Sequence, residues 1–129
     1  MFDEIEDIRH TRKRYNLKMF QSGIAGFRQF EELEAAALRG GALPQKNKEL
    51  IALGISIAQR CFPCVEYHVS AALEHGATRP EILETVQVAL VLAGGTASWP
   101  ARFAFKVLDE VLGELQSGGS QTPAAAASQ

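Results

Sequence analysis

Two thiols, an imidazole and a carboxylate stand at Cys61, Cys64, His68 and Glu49, in the spacing E-x11-C-x-x-C-x3-H. On a helix, residues three and four apart lie one above another, so Cys61, Cys64 and His68 share a face. A dithiol beside a base suits thiol redox chemistry. Only the thiolate attacks a peroxide or a disulfide, and a helix N-terminus, with unpaired N–H groups and partial positive charge, favours that thiolate. His68, one turn beyond Cys64, is placed to take its proton, and Glu49 to hold or recharge the imidazole from the preceding helix. Cys61 is then the resolving thiol, because a sulfenic acid on Cys64 condenses with a nearby thiol to a disulfide. The same four side chains are also legitimate zinc donors. Against that reading, three of the four come from about two turns of one helix, and the sequence holds no second C-x-x-C and no H-x-x-x-H pair. Two cysteines can also be inert packing, since free cysteine behaves as a small apolar residue.

The elements that must position these groups read as helices throughout. Residues 3 to about 19 are strongly charged, with Ile5, Ile8 and Tyr15 on one stripe, which predicts a surface-lying amphipathic helix. From Ser22 to Arg39 the arc Ile24, Phe27, Phe30, Leu33 and Ala37 predicts a second helix, with Gly40-Gly41 supplying a left-handed end. After Leu43-Pro44, apolar residues cover nearly every side of a third helix that Glu49 opens, which marks it as buried. The fourth runs from about Phe62 to His75, with Pro63 in its first turn and Gly76 as its cap. Thr78-Arg79-Pro80-Glu81 has capping-box spacing ahead of a fifth helix with the stripe Ile82, Val86, Ala89, Leu90, Ala93, ending at Gly94-Gly95. Ser98-Trp99-Pro100 starts a sixth, with Phe103, Val107, Leu108, Val111 and Leu115 inward. The expectation is one all-α domain over residues 1–116 and a flexible Gly/Ser/Ala-rich tail over 117–129.

Composition excludes several partners. A formal charge of −2 over 129 residues gives no general attraction for nucleic acid or anionic lipid. The basic run Arg9 to Arg14 is interleaved with Asp3, Glu4, Glu6 and Asp7 and reads as a solvated helix face. No secretory leader pattern and no apolar run of membrane-spanning length is present, so a cytoplasmic protein is expected. Two cysteines rule out a multi-disulfide scaffold. His10 and His75 have ordinary surface and helix-end explanations. Phe20, Phe27 and Phe30 read as core or subunit contact, Trp99 as an anchor where its helix begins, and Tyr67 as pointing away from its neighbour His68.

With Glu49, Cys61, Cys64 and His68 in register, the chain resembles the alkylhydroperoxidase D-like branch of the carboxymuconolactone decarboxylase superfamily. The resemblance extends over roughly Ile24 to Leu112, through Gly41-Ala42-Leu43, Lys48-Glu49-Leu50-Ile51-Ala52-Leu53 and Ala71-Ala72-Leu73-Glu74-His75-Gly76-Ala77-Thr78. It implies an all-helical bundle of about six helices that assembles as a homo-oligomer, trimer or hexamer. It implies a thiol peroxidase reducing hydroperoxides, or a protein disulfide reductase, recharged by a lipoyl-bearing or thioredoxin-like partner with no cofactor and no metal. By the family's pattern Cys64 is the attacking thiol, Cys61 its partner, and His68 with Glu49 the proton relay. Some peroxide-reducing relatives carry a relay histidine between the cysteines, where this chain has Pro63, and a proline there puts disulfide exchange with a protein partner on a par with direct peroxide reduction. A carboxymuconolactone decarboxylase-type activity and a non-catalytic zinc-binding or redox-sensing module are the remaining alternatives.

Overall fold

Local signals decide where the helices begin and end. In the computed structural model, which describes residues 4–118, the expected all-α architecture is built from six α-helices: α1 (Glu4–Phe20), α2 (Ala25–Leu38), α3 (Gln45–Ala58), α4 (Phe62–Glu74), α5 (Arg79–Ala93) and α6 (Ser98–Gly118), the last preceded by one 3-10 turn at Gly95–Ala97. The tail expected from residue 117 lies, beyond Gly118, outside the described residues. Thr78 caps α5 in a full capping box: its hydroxyl accepts the Glu81 N–H at 3.3 Å and Glu81 Oε1 accepts the Thr78 N–H at 2.9 Å. That carboxylate also receives Lys46 Nζ at 2.9 Å, and these donors hold its pKa below the usual glutamate value. Gly76 and Gly94 close α4 and α5 with φ of +94° and +88°.

Two turns differ from expectation. Gly40 and Gly41 are not left-handed; α2 ends at Leu38 with Arg39 in extended conformation, and the chain leaves straight into the loop. A left-handed residue instead closes α3, and it is Arg60, with φ of 58°. There the Arg60 N–H donates to Ile57 O and the Cys61 N–H to Ser56 O, both at 3.0 Å, so the reversal that ends α3 delivers Cys61 directly as the N-cap of α4.

The core lies between α3, α4, α5 and α6. Leu53 and Ile57 of α3 meet Val65 and Val69 of α4, Ile82 of α5 and Val107 and Leu108 of α6, all fully buried. Each such side chain contributes about 1.5–3 kcal/mol through removal from water. The third helix is not buried all round: Ile51 and Ile55 stay half exposed and form an open apolar strip with Val88 and Leu92 of α5. On α2 no residue is buried, and Phe30 and Leu33, with Ile24 just ahead of the helix, project outward. The rest of the chain supplies a packing partner to only one face of each of these helices.

Helix α1 is held across α4 by charge. The Glu66 carboxylate is fully buried, and it accepts Arg9 Nε at 2.7 Å, Arg12 Nη1, and the Ser70 hydroxyl at 3.3 Å. The basic run of α1 is therefore not simply a solvated face, because two of its arginines turn inward. Removing the anion would leave two guanidiniums over an apolar hole. We expect Glu66→Ala to lower the unfolding free energy by about 2 kcal/mol in denaturant titration, less than the ~3–5 kcal/mol of a fully interior pair because both arginines keep some access to water. An unchanged midpoint would show that α1 is held by other contacts.

Candidate active site

The α3–α4 turn brings the four expected residues toward one place. Cys61 and Cys64 are joined in a disulfide with Cα atoms 5.2 Å apart, across the first turn of α4. The Cys64 N–H donates to Cys61 Sγ at 3.3 Å, so an orphan donor of the helix N-terminus points at that sulfur.

From the middle of α3, Glu49 reaches across to α4. His68 Nδ1 lies 2.7 Å from Glu49 Oε1, in a contact buried on both sides. A carboxylate offers only acceptors, so Nδ1 carries the proton and, in the neutral imidazole, Nε2 remains as the base. The other oxygen, Glu49 Oε2, accepts Gln45 Nε2 at 3.3 Å, which fixes the carboxylate from one turn earlier on the same helix.

These groups open onto a cavity of about 660 Å³ between α1, α2 and the α3–α4 pair. Cys64, Pro63, Tyr67, His68, Glu49 and Gln45 form its floor, and Arg12, Asn16, Phe20, Glu31, Glu34 and Arg39 are on its other walls. Cys61 does not line it, so the two sulfurs of the bridge have different surroundings. A second, mostly apolar groove of about 470 Å³, with Met19, Ile24, Phe27 and Phe30, shares Asn16, Phe20, Glu31 and Glu34 with the first. Phe20, Phe27 and Phe30 therefore border an open groove and are not core. Among the described residues no three His, Cys, Asp or Glu side chains converge to hold a metal ion, and the two sulfurs here are bonded to each other.

Three cavity residues were not singled out as site residues from the sequence. Tyr67 does not point away from His68: its ring meets the imidazole edge-on, with centroids 5.1 Å apart at 84°. The signal was its spacing of three from Cys64, which outweighs divergence from its immediate neighbour. Gln45 precedes Glu49 by one helical turn and was open to the same argument. Arg12 had no local signal, because it comes from α1, and its guanidinium lies 5.0 Å from the centroid of the Tyr67 ring.

Partial burial, then the Glu49 and Glu34 carboxylates, push the Tyr67 phenol above the ordinary tyrosine value of 10.0, with Arg12 opposing. A raised acid binds its proton more tightly in the folded state, so its contribution to stability is complete below pH 10.0 and is lost as pH rises through the folded value. Ultraviolet difference titration of wild type against Tyr67→Phe should show the lost phenol ionising above 10.0; a midpoint at or below that value would contradict the geometry.

Comparison with known proteins places relatives beside this geometry. A family model described as the carboxymuconolactone decarboxylase family matches residues 25–110. An uncharacterized protein of Cupriavidus necator is 34% identical over 89 residues, covering 69% of this chain and 79% of that protein. Among solved structures, one from Thermotoga maritima superposes with a TM-score of 0.82 at 32% identity, covering 88% of this chain and 99% of that one. The same Thermotoga maritima protein is described elsewhere as a carboxymuconolactone decarboxylase family protein for which involvement in an antioxidative response is suggested. A carboxymuconolactone decarboxylase family protein of Legionella pneumophila, in its apo form, gives a TM-score of 0.79 at 30% identity, with 84% of this chain and 97% of that one covered.

Proposed function

The chain belongs to the carboxymuconolactone decarboxylase family, and within that family we propose a thiol-dependent oxidoreductase that reduces hydroperoxides through the Cys61–Cys64 pair. The observation that carries this reading is a single cavity holding one sulfur of a bridged cysteine pair together with a hydrogen-bonded Glu49–His68 couple. The antioxidative suggestion made for the Thermotoga maritima relative points the same way.

In the proposed cycle His68 Nε2 takes the Cys64 proton, and the thiolate attacks the terminal oxygen of the hydroperoxide. The O–O bond breaks, sulfur is oxidised to a sulfenic acid, and the departing oxygen leaves as an alcohol with the proton from His68. Cys61 condenses with the sulfenic acid, forming the disulfide and releasing water. A dithiol donor, lipoyl-bearing or thioredoxin-like, then reopens the bridge by exchange. The apolar groove continuing from the cavity suits the organic part of such a substrate, and the exposed apolar strips of α2, α3 and α5 suit association with further copies of the chain.

Disulfide exchange with a protein partner is a second reading. Pro63, exposed between the cysteines, supports it, since no proton-carrying side chain stands at that position.

The test is a thiol count before and after one equivalent of an organic hydroperoxide, followed by peroxide consumption with dihydrolipoamide as donor. Loss of two thiols with sustained, donor-dependent turnover is expected. Cys64→Ser should abolish turnover, and Cys61→Ser should permit one oxidation that stops at the sulfenic acid. Equal multiple turnover by both variants, or two thiols that survive peroxide unchanged, would reject the scheme.

A further inference from the structure

When the Cys64 thiolate breaks an O–O bond, negative charge grows on the departing oxygen, and a donor already aimed at that point lowers the barrier. His68 carries the proton that will finally neutralise the charge, but during attack it is still engaged with the sulfur it has deprotonated. Pro63 lines the same cavity and has no hydrogen to donate. Tyr67 follows Pro63 by four residues and Cys64 by three, so its side chain rises over the same helical face.

Contacts from two helices fix that ring. One edge meets His68 at a centroid distance of 5.1 Å, and the Arg12 guanidinium lies 5.0 Å from the ring centroid. Arg12 is itself anchored on the buried Glu66 carboxylate, the residue directly before Tyr67. Tyr67 lines the cavity, and partial burial, followed by the Glu49 and Glu34 carboxylates, keeps its phenol protonated through the neutral range. It is thus a neutral O–H donor on a ring contacted by His68 and Arg12, in the cavity that Cys64 also lines.

We propose that the Tyr67 hydroxyl donates a hydrogen bond to the oxygen that leaves when Cys64 attacks a hydroperoxide, while its ring holds the His68 imidazole in place. This role rests on the peroxidase reading of the same site. The bonds and electrons are those of that reaction: the S–O bond forms, the O–O bond breaks, sulfur is oxidised and the peroxide is reduced. His68 supplies the proton that completes the alcohol, and Tyr67 retains its own.

The experiment compares wild type and Tyr67→Phe in two reactions of the reduced protein. One is turnover of cumene hydroperoxide with dihydrolipoamide; the other is attack on an aromatic disulfide, whose departing sulfur is a stable thiolate that needs no such donor. Tyr67→Phe keeps the ring, so it should lower kcat/KM for the hydroperoxide about tenfold or more and leave the disulfide rate within about twofold. Tyr67→Leu, which removes the ring, should slow both. Equal losses in both reactions for Tyr67→Phe, or no loss in either, would overturn the donor role while wild-type turnover keeps the peroxidase reading standing. A wild type that reacts with the disulfide and not with the hydroperoxide would overturn the peroxidase reading, and this role with it, with the disulfide reaction showing that the protein is folded and its thiolate live.

Discussion

A carboxylate cannot be left alone inside a helical bundle, and among the described residues this chain buries two, Glu49 and Glu66. Each must find donors, and the donors it finds determine how the helices sit. Glu49 takes the imidazole of His68 and the amide of Gln45, which locks α3 against α4 at the height of the disulfide. Glu66 takes Arg9 and Arg12, which lays α1 across α4 and encloses the cavity. The apolar core would tolerate small slides of one helix along another. These two charge contacts would not, because a slide of one turn strands a buried anion. The arrangement around the disulfide therefore inherits its precision from electrostatics, on a bundle that apolar burial holds together.

Much of this was legible in the residues. The capping box at Thr78 and the glycines at 76 and 94 punctuate the chain where local backbone chemistry demands. Glu49, Cys64 and His68 could be brought together because two adjacent helices joined by a short turn leave few alternatives. What failed depended on the third dimension. No periodicity announces that Arg9 and Arg12 turn inward, since their partner is more than fifty positions away. Tyr67 was misjudged because the angle between neighbours on a helix says where a side chain starts and not how widely the cavity wraps around that helix. The apolar arcs of α2 and α3 were recognised, but whether the chain itself covers them is a matter of how many faces a six-helix bundle has to offer. Arg60 is the clearest case of tertiary context overriding propensity: a non-glycine residue takes the left-handed conformation at the reversal, where the pull of α4 packing on α3 outweighs a local cost of about 1–2 kcal/mol.

The bridge and the couple beside it divide the labour between sequence-local and assembled parts. The disulfide, its helix N-terminus and the Arg60 reversal lie within a few consecutive residues. The base and its carboxylate need one helix–helix contact. The chamber in which a substrate would meet them needs α1 and α2 as well, two helices that touch the rest of the molecule much less than α3 to α6 touch one another. The cysteines, the imidazole and its carboxylate thus sit in the tightly packed half, and the walls that enclose them come from the loosely packed half.

That division fixes an order of events in time. The sulfurs are three positions apart and Glu49 and His68 nineteen, whereas Arg9 and Arg12 must close loops of fifty-seven and fifty-four positions to reach Glu66. Closing a long loop takes an entropic toll before any contact rewards it, so local pairs form first. During folding the α3–α4 hairpin acquires its thiols and its base while the chamber is still open. For that interval the cysteines stand open to whatever oxidant or thiol the solvent holds.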